Sequence, residues 1–261
     1  MKFVTSDRIT LDYTDEGIGQ PIVILTGFGG SKEIWHGQVS VLVTAGYRVV
    51  NIDSRCHGLS ERTGKGLRMS RRAMDAYELI QQLKLKQPIL LGNSMGAATW
   101  FAYVSLFGDQ SIKAVIDVDQ TPKMINTTDW PYGFKDVTWS DFPDYFYNPL
   151  GPSTHKHIDD TTYKLVKRVA KQSPFDEKAT LPLLVDHAFQ DWRDVVAGLT
   201  IPFLIIAGEN SPYFDSAFAA VTARTAIKGQ SVVVPEAGHI VMAEQSQAFN
   251  QALLRFLATL E

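Results

Sequence analysis

The stretch that decides the fold is PILLGNSMGAATW, residues 88–100. The residues before Gly92 are apolar and predict a short buried strand, and those from Ala97 to Phe107 predict a helix. Between them, GNSMG at 92–96 fits G-x-S-x-G at a strand-to-helix turn, where glycines leave room for a strained backbone and lift the serine hydroxyl into the open. The pattern predicts that Ser94 is a nucleophile, provided that a base and an acid come from elsewhere in the chain.

Short apolar segments alternate with helical segments on both sides of this turn. The apolar segments that predict strands are residues 22–25, 47–52, 114–119, 201–208 and 231–234. Residues 70–84 carry apolar side chains at the spacing of a one-sided helix, and a further helix is predicted over 243–260. This alternation predicts an α/β fold with a mostly parallel, doubly wound sheet covered on both faces.

The alternation stops after Gln120 and resumes near residue 194. Residues 121–193 contain many aromatic residues and helical patches but no convincing buried strand. We therefore predict one core domain, formed by residues 1–120 and 194–261, with residues 121–193 inserted as a largely helical lid.

Composition sets limits on the function. The 261 residues are 45% apolar and 20% charged, with a net charge of −3 and no basic block, so no nucleic-acid partner or anionic membrane is predicted. The N-terminus lacks the apolar stretch of a signal peptide, and Cys56 is the only cysteine. We expect a cytoplasmic monomer or homodimer without a disulfide.

His239 is the strongest candidate for the base. It follows the last predicted strand in the segment PEAGH, residues 235–239. The carboxyl ends of parallel strands meet at one edge of an open sheet, where ligands bind, so His239 should reach the same edge as Ser94.

Four segments resemble the α/β-hydrolase superfamily, particularly its cofactor-free esterase and haloperoxidase-like branch. They are LTGFGG at 25–30, DSRCHGLS at 53–60, the turn at Ser94, and Gly238-His239 followed by Glu244. The resemblance implies an α/β-hydrolase fold, a serine nucleophile, a catalytic histidine and an oxyanion hole formed by the backbone N–H groups of Phe28 and Met95. It implies no cofactor, and the sequence predicts no metal site.

The acid that orients His239 has several candidates. Many relatives carry an aspartate after the next-to-last strand, at the position that Ser211 holds here. Some relatives take the acid from the strand after the nucleophile helix, where this chain has Asp117 and Asp119. Alternation places both carboxylates on the same sheet face, but Asp119 lies nearer the strand end. We predict that Asp119 is the acid, with Asp117 and Asp215 as alternatives.

Aromatic residues are concentrated between residues 130 and 147 of the predicted lid. A pocket covered by aromatic rings suits an apolar acyl or aryl group. We predict a hydrophobic substrate of modest size, contacted by lid residues. The lid residues predicted to bind it are Trp130, Trp139, Phe142 and Phe146.

Three functions fit these residues. The first is a serine hydrolase that cleaves a small to medium hydrophobic carboxylic ester through an acyl-enzyme. The second is a hydrolase of carbon–carbon bonds in ring-fission products, whose members have a similar turn but usually keep the aspartate that Ser211 replaces. The third is a ligand-binding or signalling protein that retains the same three side chains.

Overall fold

The computed structural model describes residues 1–260. Within them, eight strands form one sheet in the order β1-β2-β4-β3-β5-β6-β7-β8. The strands are β1 (Lys2–Val4), β2 (Thr10–Glu16), β3 (Gln20–Leu25), β4 (Tyr47–Asp53), β5 (Ile89–Asn93), β6 (Ala114–Val118), β7 (Phe203–Gly208) and β8 (Gly229–Val234). Two pairings in the described sheet are antiparallel, β1 with β2 and β2 with β4, and the other five are parallel, so the predicted mostly parallel α/β sheet is confirmed.

Helices cover both faces of the sheet. They are α1 (His36–Thr44), α2 (Met69–Gln82), α3 (Met95–Phe107), α4 (Asp160–Gln172), α5 (Glu177–Phe189), α6 (Arg193–Ala197), α7 (Ala217–Ala223), α8 (Val241–Glu244) and α9 (Ser246–Ala258). Successive side chains of β3 pack on opposite faces of the sheet. Ile24 packs in the same cluster as Leu42 of α1 and Leu253 of α9, whereas Val23 packs in the cluster of Phe101 of α3. Both faces are therefore buried, which explains the continuous apolar runs of the central strands.

The predicted lid lies between β6 and β7. Residues 119–202, all of which the structure describes, hold α4, α5, α6 and a 3₁₀ helix at Asp144–Tyr147, with isolated bridges in place of strands. The division of the chain at residues 121 and 193 stays a prediction. Within residues 1–260, no helix has the length and apolar character that a bilayer crossing requires.

Candidate active site

Ser94 lies in a sharp turn between β5 and α3, with φ 55° and ψ −130°. The two flanking glycines permit this turn through close backbone contacts. A Cβ atom on Gly96 would lie 2.4 Å from the Leu25 carbonyl oxygen, and one on Gly92 would lie 2.5 Å from the Ala97 nitrogen. Because neither position has room for a side chain, the G-x-S-x-G spacing follows from sterics, and Ser94 is left half-buried at the carboxyl edge of the sheet.

His239 lies in the loop after β8 and lines the same pocket as Ser94. The Glu244 carboxylate holds this loop on both sides of the histidine, because it accepts hydrogen bonds from the backbone nitrogens of Gly238 (3.0 Å) and Ile240 (3.1 Å). The His239 backbone nitrogen donates to the Ser153 carbonyl at 3.0 Å. These contacts fix the position of the imidazole, which is buried.

Asp119 directly follows β6 and contacts the His239 ring. Its Oδ2 lies 2.7 Å from His239 Nδ1 and accepts a hydrogen bond from Ser211 Oγ at 2.6 Å. Its Oδ1 accepts from the Gly208 nitrogen at 2.9 Å. The carboxyl group is fully buried, and every one of these contacts suits an ionised acceptor.

This arrangement assigns the tautomer of His239. An ionised Asp119 only accepts, so Nδ1 carries the proton and donates it, and Nε2 is left with a free lone pair. A neutral imidazole with this tautomer can act as a general base through Nε2. His239 and Ser94 line the same pocket.

The other candidate acids lie elsewhere. Asp215 is exposed, and its Oδ1 accepts from the Ala217 nitrogen at 2.9 Å at the start of α7. Ser211, at the position where many relatives carry the acid, donates a hydrogen bond to Asp119 instead. The structure therefore brings Asp119 to His239 and does not bring Asp215 there.

Asp117 is fully buried in β6, and its carboxyl oxygens make no well-formed hydrogen bond within the described residues, although the Gln120 backbone N–H lies close enough to oppose the rise in pKa in part. Burial and the nearby negative charge of Asp119 raise its pKa well above the usual range of a carboxyl group. Its carboxyl group therefore keeps its proton to a higher pH in the folded chain than an ordinary carboxyl group does. Asp117 therefore differs from Asp119, whose carboxylate is hydrogen-bonded to His239.

The raised pKa of Asp117 predicts a pH-dependent stability. The unfolded chain releases this proton near pH 4 and the folded chain keeps it, so the free energy of unfolding falls as pH rises toward the raised pKa. Between about pH 4 and the raised pKa, the free energy of unfolding of the wild type should fall, relative to that of Asp117→Asn, by at most about 1.4 kcal/mol per pH unit. Urea unfolding of both proteins at pH 5, 6.5 and 8 measures the difference. If the difference in the free energy of unfolding between the two proteins stays constant with pH, the raised pKa of Asp117 is contradicted.

Phe28 and Met95, the predicted oxyanion donors, both line the pocket beside Ser94. Met95 is the first residue of α3, so its N–H has no partner inside the helix and is free to face a ligand. Arg72 of α2 contacts the two segments that carry these donors. Its guanidinium donates to the Thr26 carbonyl (3.1 Å), in the loop that contains Phe28, and to Met95 Sδ (3.4 Å).

The pocket has a volume of about 360 Å³, and its lining includes many apolar side chains and no Lys, Arg, Asp or Glu among the described residues. Apolar residues between β6 and β7 form one wall. Those that line the pocket are Met124, Phe134, Phe146, Leu150, Ile158, Val166 and Leu184. The site is therefore a largely apolar space whose lining includes Ser94 and His239.

Of the predicted lid aromatics, Phe146 lines the pocket, and the other three lie outside its lining. Trp130 is buried, and its ring nitrogen donates to Thr121 Oγ1 at 3.1 Å. Trp139 is 49% exposed and packs edge-on against Phe142, which contacts Phe146 from behind. Because none of these three side chains lines the pocket, the structure does not support a substrate contact for them, and that role stays a prediction.

The sequence analysis missed Ser211, Arg72 and His187 as site residues. Arg72 occupies a buried face of α2, and His187 lines the pocket from the buried face of α5. A polar side chain on the buried face of a helix was the available signal for both. Nothing in the spacing around Ser211 indicates that its hydroxyl contacts the acid.

Comparison with known proteins decides the family. Residues 20–246 match the family model described as the alpha/beta hydrolase fold. The chain belongs to the α/β-hydrolase family. It is 27% identical to the non-heme haloperoxidase of Rhodococcus erythropolis, a match that covers 98% of this chain and 99% of that protein. It is 24% identical to the non-heme chloroperoxidase of Burkholderia pyrrocinia, with 98% and 99% covered.

Solved structures agree on the fold of this α/β hydrolase. An esterase from Exiguobacterium antarcticum superposes with a TM-score of 0.87 at 22% identity and 98% coverage of each chain. A bromoperoxidase from Bacillus anthracis superposes with a TM-score of 0.85 at 25% identity, covering 99% of this chain and 100% of that one. The predicted α/β-hydrolase fold and the resemblance to the cofactor-free esterase and haloperoxidase-like branch are confirmed.

Proposed function

We propose that this α/β hydrolase cleaves a small to medium, uncharged hydrophobic ester through a covalent acyl-enzyme. The observation that carries the proposal is the hydrogen bond between His239 Nδ1 and the buried Asp119 carboxylate, within a pocket that also contains Ser94. A serine hydroxyl becomes a nucleophile when a base removes its proton, and an oriented, neutral imidazole is such a base.

The reaction would proceed in two steps. Ser94 Oγ attacks the ester carbonyl carbon while His239 Nε2 takes its proton, and the same proton is returned to the leaving alcohol as the ester C–O bond breaks. Water then attacks the acyl carbon while His239 Nε2 takes its proton, and this proton returns to Ser94 Oγ as the bond between Oγ and the acyl carbon breaks and the acid leaves. The N–H groups of Phe28 and Met95 would stabilise the negative oxygen in both steps. The Asp119 carboxylate stabilises the transient imidazolium.

Arg72 supports this site as a positioning residue. Burial lowers its pKa to about 10, so the guanidinium keeps its positive charge at neutral pH. Its contacts with Thr26 and Met95 would hold both donors in place.

Replacing this guanidinium should therefore slow the chemical step. We expect Arg72→Met to lower kcat on an aryl ester by about tenfold, less than the loss of a direct oxyanion donor, with a smaller change in KM. Steady-state kinetics at pH 7.5, with thermal unfolding to verify that the variant folds, measure the effect. A folded Arg72→Met with the kcat of the wild type would contradict this role.

A panel of aryl and alkyl esters of graded acyl length tests the substrate class. The wild type should favour uncharged acyl chains that fill about 360 Å³, and should discriminate against esters that carry a charge, because the described lining holds no ionic partner. Turnover restricted to charged or sugar esters would contradict the proposal. A bound ester that is never turned over would indicate a ligand-binding protein instead.

A further inference from the structure

His187 is an unusual member of the pocket lining. It lies on α5, is only 3% exposed, and its Nδ1 has no hydrogen-bonding partner within the described residues. Leu184, one turn earlier on the same helix, lines the same wall and is apolar. A buried polar atom without a partner is costly in free energy unless a bound molecule supplies the partner.

The imidazole is held on a fixed helix. Asp176 caps the start of α5 by accepting from the Ala179 nitrogen at 2.8 Å. Asp186, the residue before the histidine, accepts from the Met69 nitrogen of α2 at 2.7 Å. These two hydrogen bonds, made by residues of α5 and of its N-cap, hold the helix that carries His187. The pocket wall around His187 is therefore preorganised for a ligand.

The charge state of His187 restricts what it can bind. Burial, with a contribution from the positive charge of Arg72, lowers its pKa to about 3, so the ring is neutral at any ordinary assay pH. A neutral imidazole has one donor nitrogen and one acceptor nitrogen. Its matching partner in an apolar pocket is an uncharged oxygen, which is a hydroxyl or a ketone carbonyl.

We propose that His187 is a specificity residue that binds a hydroxyl or ketone oxygen of the substrate, separate from the two oxygens of the ester group. The natural substrate class would then be an oxo- or hydroxy-substituted ester with an otherwise apolar skeleton. This inference rests on the proposed ester hydrolysis, but it can be measured by binding alone.

The experiment uses Ser94→Ala, in which binding is separated from turnover. Phenyl esters of straight-chain acids are compared by calorimetry with oxo and hydroxy analogues of equal length, in which the added oxygen moves along the chain. At least one oxygenated ester should bind about tenfold more tightly than its apolar counterpart. The preference should disappear in Ser94→Ala/His187→Phe and partly return in Ser94→Ala/His187→Asn.

The matched control is Ser94→Ala/Leu184→Met, because it changes the same wall of the pocket without removing a hydrogen-bonding group. It should change the affinities for the oxygenated ester and for its apolar counterpart by the same factor. If the phenylalanine variant does not fold, His187→Met replaces it. A preference that survives loss of the imidazole, no preference at any chain position, or a preference for a carboxylate-bearing ester would each overturn the inference. Failure of ester hydrolysis is a separate result, since it appears as absent turnover by the wild type.

Discussion

Ser94→Ala is expected to lower kcat on a phenyl ester by about a million-fold, and His239→Ala by about as much. Nucleophile and base act as one unit, so removing either disables the same step, and the double variant should be no worse than either single variant. Steady-state rates with highly purified protein measure the losses.

The matched control for Ser94→Ala is Ser105→Ala. Ser105 is exposed on the same helix, α3, and the substitution should keep the turnover of the wild type. If Ser94→Ala keeps more than about one per cent of kcat, the site has another nucleophile, because the residual activity of such variants is far lower.

Asp119→Asn is expected to lower kcat by about ten-thousand-fold while the protein stays folded. An amide can present its NH₂ group to His239 Nδ1, which favours the tautomer with the proton on Nε2 and removes the base. Asp215→Asn is the matched control, because that carboxylate is exposed and accepts a hydrogen bond from the Ala217 nitrogen at the start of α7. A collapse of turnover in Asp215→Asn alone would transfer the role of the acid to Asp215.

The contact between Ser211 and Asp119 allows a second test of the acid. Ser211 Oγ lies 2.6 Å from the same Asp119 oxygen that lies 2.7 Å from His239 Nδ1. A carboxylate at position 211 would therefore have the imidazole within reach, as in relatives that carry the acid after the next-to-last strand. We expect Ser211→Asp to restore part of the lost kcat in the Asp119→Asn background. A double variant as slow as Asp119→Asn would show that the two positions are not equivalent.

The sequence predicted the fold because its strands are buried on both faces and read as apolar runs. It predicted the position of Ser94 because the steric demands at Gly92 and Gly96 leave a fixed spacing. Alternation along the strand did not separate Asp117 from Asp119, because it assigns both to one face, and the choice of Asp119 rested on its position nearer the strand end. The structure separates them through the backbone: Asp119 has φ 54°, so the chain leaves the strand there and the carboxylate meets His239.

The lid aromatics could not be sorted from sequence. Residues 130–147 have little regular secondary structure, so no periodicity tells an inward ring from an outward one. Trp139 and Phe146 are both aromatic, yet one is 49% exposed and the other lines the pocket. Tertiary packing decides the difference, and that packing depends on residues distant in the chain, such as Phe189 beside Trp139.

The most direct measurement of the central claim is covalent capture with an alkyl fluorophosphonate, followed by intact-mass analysis and fragmentation of the tryptic peptide 87–113. Only a serine activated by a base reacts readily with this probe. We expect one adduct per chain, located on Ser94, and its loss in both Ser94→Ala and His239→Ala. An unlabelled wild type, or an adduct that persists in Ser94→Ala, would contradict it.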